Sequence, residues 1–392
     1  MIKSTKTVQL CDFINDQVQK LVISSFVYEW EWLDRYLKDV KKVITVLHTR
    51  ELVGSFQVSP NRLLIVPPLE QWGCMHVKFL LIFYEAKIRV VITSANLIRI
   101  DWQVLENSVF YEDFPLYNEN STNENNIKEN EFEKDLKKIL KDMGIPSDVI
   151  KQVEKFDFKS AQGKLVFSKP GKYSGQDYGM RRLSSIIHDL STSVKDLQRE
   201  IYYQTSSLGS TSEAWIRDFY NSCLGLEPHS LINKKRKRGE REDLPPLRIL
   251  FPSQDTVKFS TCKEVASSIC FNRKYWKNFP KQVIRHCHSL TGSLMHSKII
   301  LSLAEKDFIS GKVYIRDSKE KSDSWIYIGS HNCTLSAWGS ITKNQDLYMR
   351  NWELGIIFGV SDVINDQEYK VPFIFPPKTY LPDQEPWVRV YY

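Results

Sequence analysis

No stretch of this chain approaches the roughly 18 to 20 consecutive apolar residues that a membrane-crossing helix needs. Its first residues, MIKSTKTVQLCDF, lack the apolar segment of a secretory signal. Cysteine is sparse. Seven of them (Cys11, Cys74, Cys223, Cys262, Cys270, Cys287, Cys333) lie scattered through 392 residues, with no Cys-x-x-Cys pair. An odd, dispersed set excludes a disulfide frame and a zinc knuckle and predicts reduced, intracellular thiols. Strong charge of one sign is missing too: 54 Lys and Arg against 47 Asp and Glu leave a net charge of +7. That excess favours an anionic partner without choosing among nucleic acid, phospholipid and acidic protein. What remains is the composition of an ordinary soluble globular protein, expected in the cytosol or nucleus. Its length exceeds what one hydrophobic core usually holds, so two domains or a fused duplicate are expected.

Short apolar runs predict buried strands at 43–47 (VITVL), 62–66 (RLLIV), His76–Tyr84 and Ile88–Thr93, with a turn at Glu85-Ala86-Lys87 between the last two. Residues 23–37 read as a strand or turn leading into a helix. Amphipathic helices are expected over 132–143 and 181–202, and a solvated loop over the Asn/Glu-rich stretch 117–131. Further strands are expected at 247–251, His296–Leu303 and 325–329, with residues 305–324 as a polar insertion.

The two halves repeat. The first reads Met-His-Val-Lys-Phe-Leu-Leu-Ile, then a strand, then Thr-Ser-Ala-Asn-Leu. The second reads Met-His-Ser-Lys-Ile-Ile-Leu-Ser, then a strand, then Gly-Ser-His-Asn-Cys. Lys78 to Asn96 spans 18 positions and Lys298 to Asn332 spans 34, a difference of 16 that the insertion 305–324 accounts for.

Side chains alternate faces along a strand, so His76 and Lys78 point one way, as do His296 and Lys298. Face to face, the halves would pool two imidazoles, two ammoniums and two amides. That set suits a phosphodiester. Lysines and asparagines donate to the non-bridging oxygens, one imidazole attacks phosphorus, and the other moves the proton. Histidine serves both roles because it titrates near neutrality. The lysines bring the positive charge, so neither metal nor cofactor is expected.

At these residues the chain resembles the phospholipase D superfamily, whose motif is His-Lys-Asp. Phe83 and Leu303 stand where that Asp would fall. Loss of both aspartates marks the tyrosyl-DNA phosphodiesterase branch. Thr93–Trp102, Ser330–Gly339, Gln204–Ser210, Phe251–Ser253, Trp352–Gly355 and Pro386–Val390 are similar to segments of that family. The resemblance runs from about residue 20 to the C-terminus.

The resemblance implies an α/β fold of two similar α-β-α sandwich domains, 1–192 and 193–392. They would be related by a pseudo-twofold, with the active site at their interface. It implies His76 as nucleophile and His296 as general acid and base, with Lys78, Lys298, Asn96 and Asn332 as the phosphate clamp. Asn107, where many members carry Gln, and Glu353 would orient the histidines. Trp72 would stack on a base; its other reading is core packing. Phe26 and Trp387 match aromatics near the groove. Ser206, Ser207, Gly209, Ser210 and Ser253 would donate to DNA phosphates. The implied substrate is a single-stranded or frayed duplex DNA 3′ end carrying a topoisomerase I peptide, handled by a nuclear monomer that touches no membrane.

Two alternatives stay open. One is a nuclease or lipid phosphodiesterase of the same superfamily. The other is a DNA-end binding module without chemistry. His286-Cys287-His288 lacks a second pair at zinc spacing. Lys234–Arg238 (KKRKR) reads as a nuclear localisation signal, a phosphate-contacting loop or a plain solvated loop. Asp101 and Trp102 are expected to pack beneath the site rather than enter it.

Overall fold

In the computed structural model, the described residues are 7–117, 129–190, 199–229, 243–303, 308–309, 312–313, 324–359 and 371–389. The seven strands of the first sheet are β1 (Lys20–Ser24), β2 (Lys42–Val46), β3 (Gly54–Ser59), β4 (Arg62–Val66), β5 (Phe79–Phe83), β6 (Lys87–Thr93) and β7 (Val109–Pro115). They lie in the order β3-β4-β2-β1-β5-β6-β7. The second sheet contains β8 (Lys164–Ser168), β10 (Ile201–Gln204), β11 (Leu247–Phe251), β12 (Ile284–His286), β13 (Ile299–Ser302), β16 (Trp325–Gly329) and β19 (Glu353–Gly359). Its order is β12-β11-β10-β13-β16-β19-β8. A small sheet joins β17 (Ser340–Ile341), β18 (Leu347–Met349) and β9 (Gly171–Tyr173), and β14 (Phe308–Ile309) pairs with β15 (Lys312–Val313).

The internal repeat is visible in strand direction. In the first sheet β4, β2 and β1 run parallel, and β5, β6 and β7 then alternate. In the second sheet β12, β11 and β10 run parallel, and β13, β16 and β19 alternate. The halves differ at their edges. β3 closes the first sheet beside β4, whereas the second gains β8, which precedes residue 192 and pairs antiparallel with β19. A cut at 192 would therefore strip a strand from the second sheet.

The central strands of both sheets bury both faces, which explains why they read as continuous apolar runs, while the edge strand β3 is largely exposed. One core runs between them: Val22, Phe79, Leu81, Tyr203 and Ile300 all enter it. The alternate residues Leu21, Ile23, Leu80 and Ile82 face a second cluster with Trp32 and Leu33 from helix α1 (Trp30–Leu37). Tyr202, Leu250 and Leu301 face a third. The central layer also takes Phe132 and Leu136 of α3 (Glu131–Asp142), Val149 of α4 (Ser147–Val153), Leu183 and Ile186 of α5 (Gly179–Leu190), and Phe219 of α6 (Glu213–Cys223).

Three expectations need correction. The helix expected over 181–202 is described as Gly179–Leu190, and residues 201–204 form β10 instead, their apolar run taken up by a ladder. The strands expected to begin at His76 and His296 begin at Phe79 and Ile299. The cause is that each histidine's backbone leaves its own sheet for the other half: His76 N–H donates to the Trp352 carbonyl (3.0 Å) and His296 N–H to that of Glu106 (2.8 Å). Lys234–Arg238, residues 118–128 of the Asn/Glu-rich stretch and most of 305–324 lie outside the described residues.

Candidate active site at the junction of the two sheets

Each half delivers its residues by the same route. A loop brings His-x-Lys to the start of β5 or β13. The next strand ends, and Asn96 or Asn332 follows just before a short helix, α2 (Arg99–Gln103) or α9 (Leu335–Trp338). Thr334 caps α9 through the Ala337 N–H. All four of His76, His296, Asn96 and Asn332 line one cleft of about 700 Å³.

His76 is held from behind. Its Nδ1 lies 2.7 Å from Glu353 Oε2. Glu353 is fully buried and also accepts from Ser330 Oγ (2.6 Å) and Asn351 Nδ2 (3.0 Å). Burial alone would raise the Glu353 carboxyl, but the charge and hydrogen bond of His76, together with Lys78, hold it below its ordinary range. Burial, with Lys78 and Lys298 nearby, pushes His76 down to about 4 despite Glu353. At neutral pH the ring is uncharged, Nδ1–H donates to the carboxylate, and Nε2 is left for the cleft.

His296 is held differently. Its Nδ1 stands 3.2 Å from Asp101 Oδ2, on helix α2. The contact is an ion-pair distance without hydrogen-bond alignment, so His296 Nδ1 and Asp101 Oδ1 are both buried and unpartnered. Asp101 Oδ2 instead takes the Asn96 backbone N–H (2.6 Å) and Asn96 Nδ2 (2.9 Å). Asp101 was expected beneath the site; the structure puts its carboxylate against the second histidine. Asn107, expected to orient a histidine, accepts from Ser94 Oγ (2.7 Å) and donates to the Asp101 carbonyl (2.8 Å). Its amide hydrogen-bonds to neither ring. The residue follows Glu106, whose carbonyl grips His296, just as Glu353 follows Trp352, whose carbonyl grips His76. Ser94 stands to Asn107 as Ser330 stands to Glu353. Asn107 therefore occupies the repeat position of Glu353, but its side chain is a methylene shorter.

Lys78 and Lys298 are each 0 % exposed. Each donates from Nζ to the carbonyl of its own histidine, at 2.9 Å for Lys78. Burial lowers Lys78 to about 8, and burial plus the neighbouring Lys78 holds Lys298 well below the ordinary lysine value. Two ammoniums confined without a carboxylate in direct contact are expensive to bury unless an anion joins them.

The two asparagines are unequal. Asn332 Oδ1 accepts from Ser207 N–H (3.0 Å), Thr205 Oγ1 (3.1 Å) and Ser206 Oγ (3.2 Å), which leaves Nδ2 for the cleft. Asn96 gives one amide proton to Asp101, and its Oδ1 is buried without a partner. Ser206 is thus a fully buried brace for Asn332 rather than a surface donor.

Trp72 is 77 % exposed at the cleft mouth, which removes core packing as its explanation. Its φ of 64° is in the left-handed region, a strained setting for an indole-bearing residue. The next residue must be glycine: a Cβ on Gly73 would sit 2.0 Å from the Arg350 carbonyl. Phe26 lines the cleft, its ring 5.5 Å from that of His76. Ser207, Gly209 and Ser210 line the same cleft. Ser253 does not: it is buried, caps α7 (Gln254–Lys258) through the Thr256 N–H, and faces a separate cavity. Trp387 packs against the central core outside the cleft lining.

Sequence reasoning missed Arg350, Tyr348, Asn351, Tyr275 and Arg389, all of which line the cleft. Arg389 lies within the family-like segment Pro386–Val390 but was not singled out; the other four lie outside the family-like segments, and tertiary packing assembles them. Asp101 did carry a signal, an acid five positions after the motif Asn. Among the described residues no group of three or more His, Cys, Asp or Glu could hold a metal. Nor is any described helix long and apolar enough to cross a membrane. In the His286-Cys287-His288 run, His286 stacks on His288 and Tyr380 and bonds Gln384, while the Cys287 thiol meets Met295.

A family model described as tyrosyl-DNA phosphodiesterase matches residues 2–384. The chain is similar to tyrosyl-DNA phosphodiesterase 1 of Arabidopsis thaliana, with 24% identity over 388 residues that cover 91% of this chain and 59% of the relative. It is 23% identical over 379 residues to tyrosyl-DNA phosphodiesterase 1 of Drosophila melanogaster, covering 86% of this chain and 61% of the relative. It therefore spans about three fifths of the length of these curated relatives. The crystal structure of the yeast tyrosyl-DNA phosphodiesterase shares the fold, with a TM-score of 0.72 at 19% identity across 99% of this chain and 98% of that one.

Proposed function

The chain belongs to the tyrosyl-DNA phosphodiesterase family, and from that premise we propose that it hydrolyses a phosphodiester joining a DNA 3′ end to a tyrosine, such as that of topoisomerase I, as a step of DNA repair. The observation that carries the reading is one cleft holding two imidazoles, each with Nδ1 turned to a buried carboxylate and Nε2 left free, beside two buried ammoniums.

In the first step His76 Nε2 attacks phosphorus. The bond from phosphorus to the tyrosyl oxygen breaks, and that oxygen takes the proton from His296. In the second step water attacks the phosphohistidine, His296 accepts the water's proton, and the electron pair of the phosphorus–nitrogen bond returns to His76. A DNA 3′-phosphate is released. Lys78, Lys298 and the free Asn332 amide protons meet the non-bridging oxygens, where charge concentrates in both transition states.

Charge balance supports the order of events. With both histidines neutral, two lysines offset Asp101 and Glu353. A bound phosphodiester adds one negative charge, which favours a proton on His296, the form needed for the first step. Trp72 and Phe26 offer ring faces to bases of any sequence, which suits a single-stranded or frayed end. The serine wall offers small donors to phosphates. We place the enzyme in the nucleus, acting as a monomer, with no metal required because the lysines carry the positive charge.

The test is cleavage of a 3′-phosphotyrosyl oligonucleotide. His76→Ala abolishes release of tyrosine, and His296→Ala accumulates a covalent protein–DNA species because the second step has lost its base. Full turnover by the His76 variant would sink the proposal. Release of lipid headgroups at a comparable rate would move the substrate class to the lipid alternative.

A further inference from the structure

The two histidines have matching duties but unmatched supports, and the mismatch assigns a role to a residue on neither motif. Glu353 Oε2 grips His76 Nδ1 at 2.7 Å. The residue at the equivalent place for His296 is Asn107, and both ends of its amide are occupied elsewhere, by Ser94 Oγ and the Asp101 carbonyl. The carboxylate that does reach His296 is Asp101, from α2, 2 % exposed and 3.2 Å from Nδ1. We infer that Asp101 is the positioning residue of His296, holding its ring and its tautomer in the role that Glu353 has for His76.

Three features support this. Nδ1 of His296 is buried and has no other polar partner, so its proton has no alternative acceptor. The other carboxylate oxygen of Asp101, Oδ1, is also buried and has no hydrogen-bond partner, so the carboxylate is not committed to another cation. Asp101 is itself fixed, because Oδ2 takes two bonds from Asn96. The same carboxylate thus sets the second histidine and orients the clamp amide of the first motif. Burial lowers the His296 pKa most, Lys298 on its own segment and Lys78 on the opposite one lower it further, and Asp101 raises it. The looser contact fits the duty. His296 gives a proton in one step and takes one in the next, and a ring locked as tightly as His76 would favour one state over the other. Asp101 does not exchange a proton in either step.

This role rests on the phosphodiesterase reading for its catalytic meaning, but its physical test does not need substrate. The test is NMR titration of selectively labelled histidines in the full chain, comparing wild type with Asp101→Asn and Asn107→Ala. Asp101→Asn keeps the side-chain volume and can still turn an oxygen to Asn96. Loss of an opposite charge within ion-pair range lowers the His296 pKa by roughly one unit or more. Asn107→Ala leaves it in place. Equal titration of His296 in wild type and Asp101→Asn overturns the inference. So does a shift confined to Asn107→Ala, which tests the same assignment should Asp101→Asn fail to fold. Decay of the covalent intermediate is the second readout. In Asp101→Asn its pH limb moves down with the titration and its rate falls at least tenfold, while unchanged decay counts against the role. If wild type fails to cleave the phosphotyrosyl oligonucleotide, the proposed function falls, and the titration still decides Asp101.

Discussion

Replacing Lys78 with methionine should make this protein more stable and inactive. Lys78 is completely buried, and its ammonium donates to the His76 carbonyl. Burial brings its pKa from the ordinary 10.5 down to about 8. A drop of about 2.5 units, at ~1.4 kcal/mol per unit, means that keeping the charge costs about 3 kcal/mol at neutral pH. Methionine has nearly the same length and no charge. It also loses the hydrogen bond from Nζ to the His76 carbonyl, worth about 1 kcal/mol. The expected net gain is about 2 kcal/mol, read as a higher urea midpoint at pH 7. The sign of the pH dependence follows from linkage. Between pH 8 and 10.5 the unfolded lysine still holds its proton and the folded one has released it, so the wild type gains stability as pH rises through this window. The gap between Lys78→Met and wild type should therefore be widest below pH 8 and close towards pH 10.5. A variant that is less stable at pH 7, or a gap that is the same at pH 7 and pH 10, refutes the idea that this lysine is a stored electrostatic cost of function.

Two further outcomes follow from the geometry. Trp72→Ala should raise KM for a single-stranded phosphotyrosyl substrate roughly 10- to 100-fold, the scale of losing ~1–3 kcal/mol of base stacking. It should leave kcat and thermal unfolding close to wild type, because the indole is exposed; unchanged KM would remove Trp72 from the substrate path. Gly355→Ala should destabilise the chain by roughly 1–3 kcal/mol or more, because the added Cβ would lie 2.1 Å from the buried Tyr327 ring. Circular dichroism melts check this, and a wild-type melting temperature would show that Tyr327 can move aside.

The sequence alone was eloquent about what repeats. Two His-x-Lys segments ahead of apolar strands, each followed by a strand and Ser-x-Asn, are local patterns. Local patterns survive translation into structure because strand burial forces apolar runs wherever both faces of a sheet are covered. The second-half helix misjudged over 181–202 shows the limit. Residues 201–204 are apolar enough for either state, and only the ladder with β11 and β13 chose strand.

The site divides along the same line. Its motif residues were legible because chemistry restricts which side chains can serve. Their supports were not. Whether Asn107 reaches a ring depends on one methylene and on where Ser94 stands. Asp101 meets His296 across 195 positions of chain because the segment before His296 crosses to Glu106. Ser253 reads as a phosphate donor until its hydroxyl is seen capping α7. Sequence determined the motif histidines, lysines and asparagines that this protein brings to its site, since their identity and order are covalent. The tertiary structure decided what each one leans on, since hydrogen-bond reach is set by tenths of an ångström that no spacing along the chain encodes.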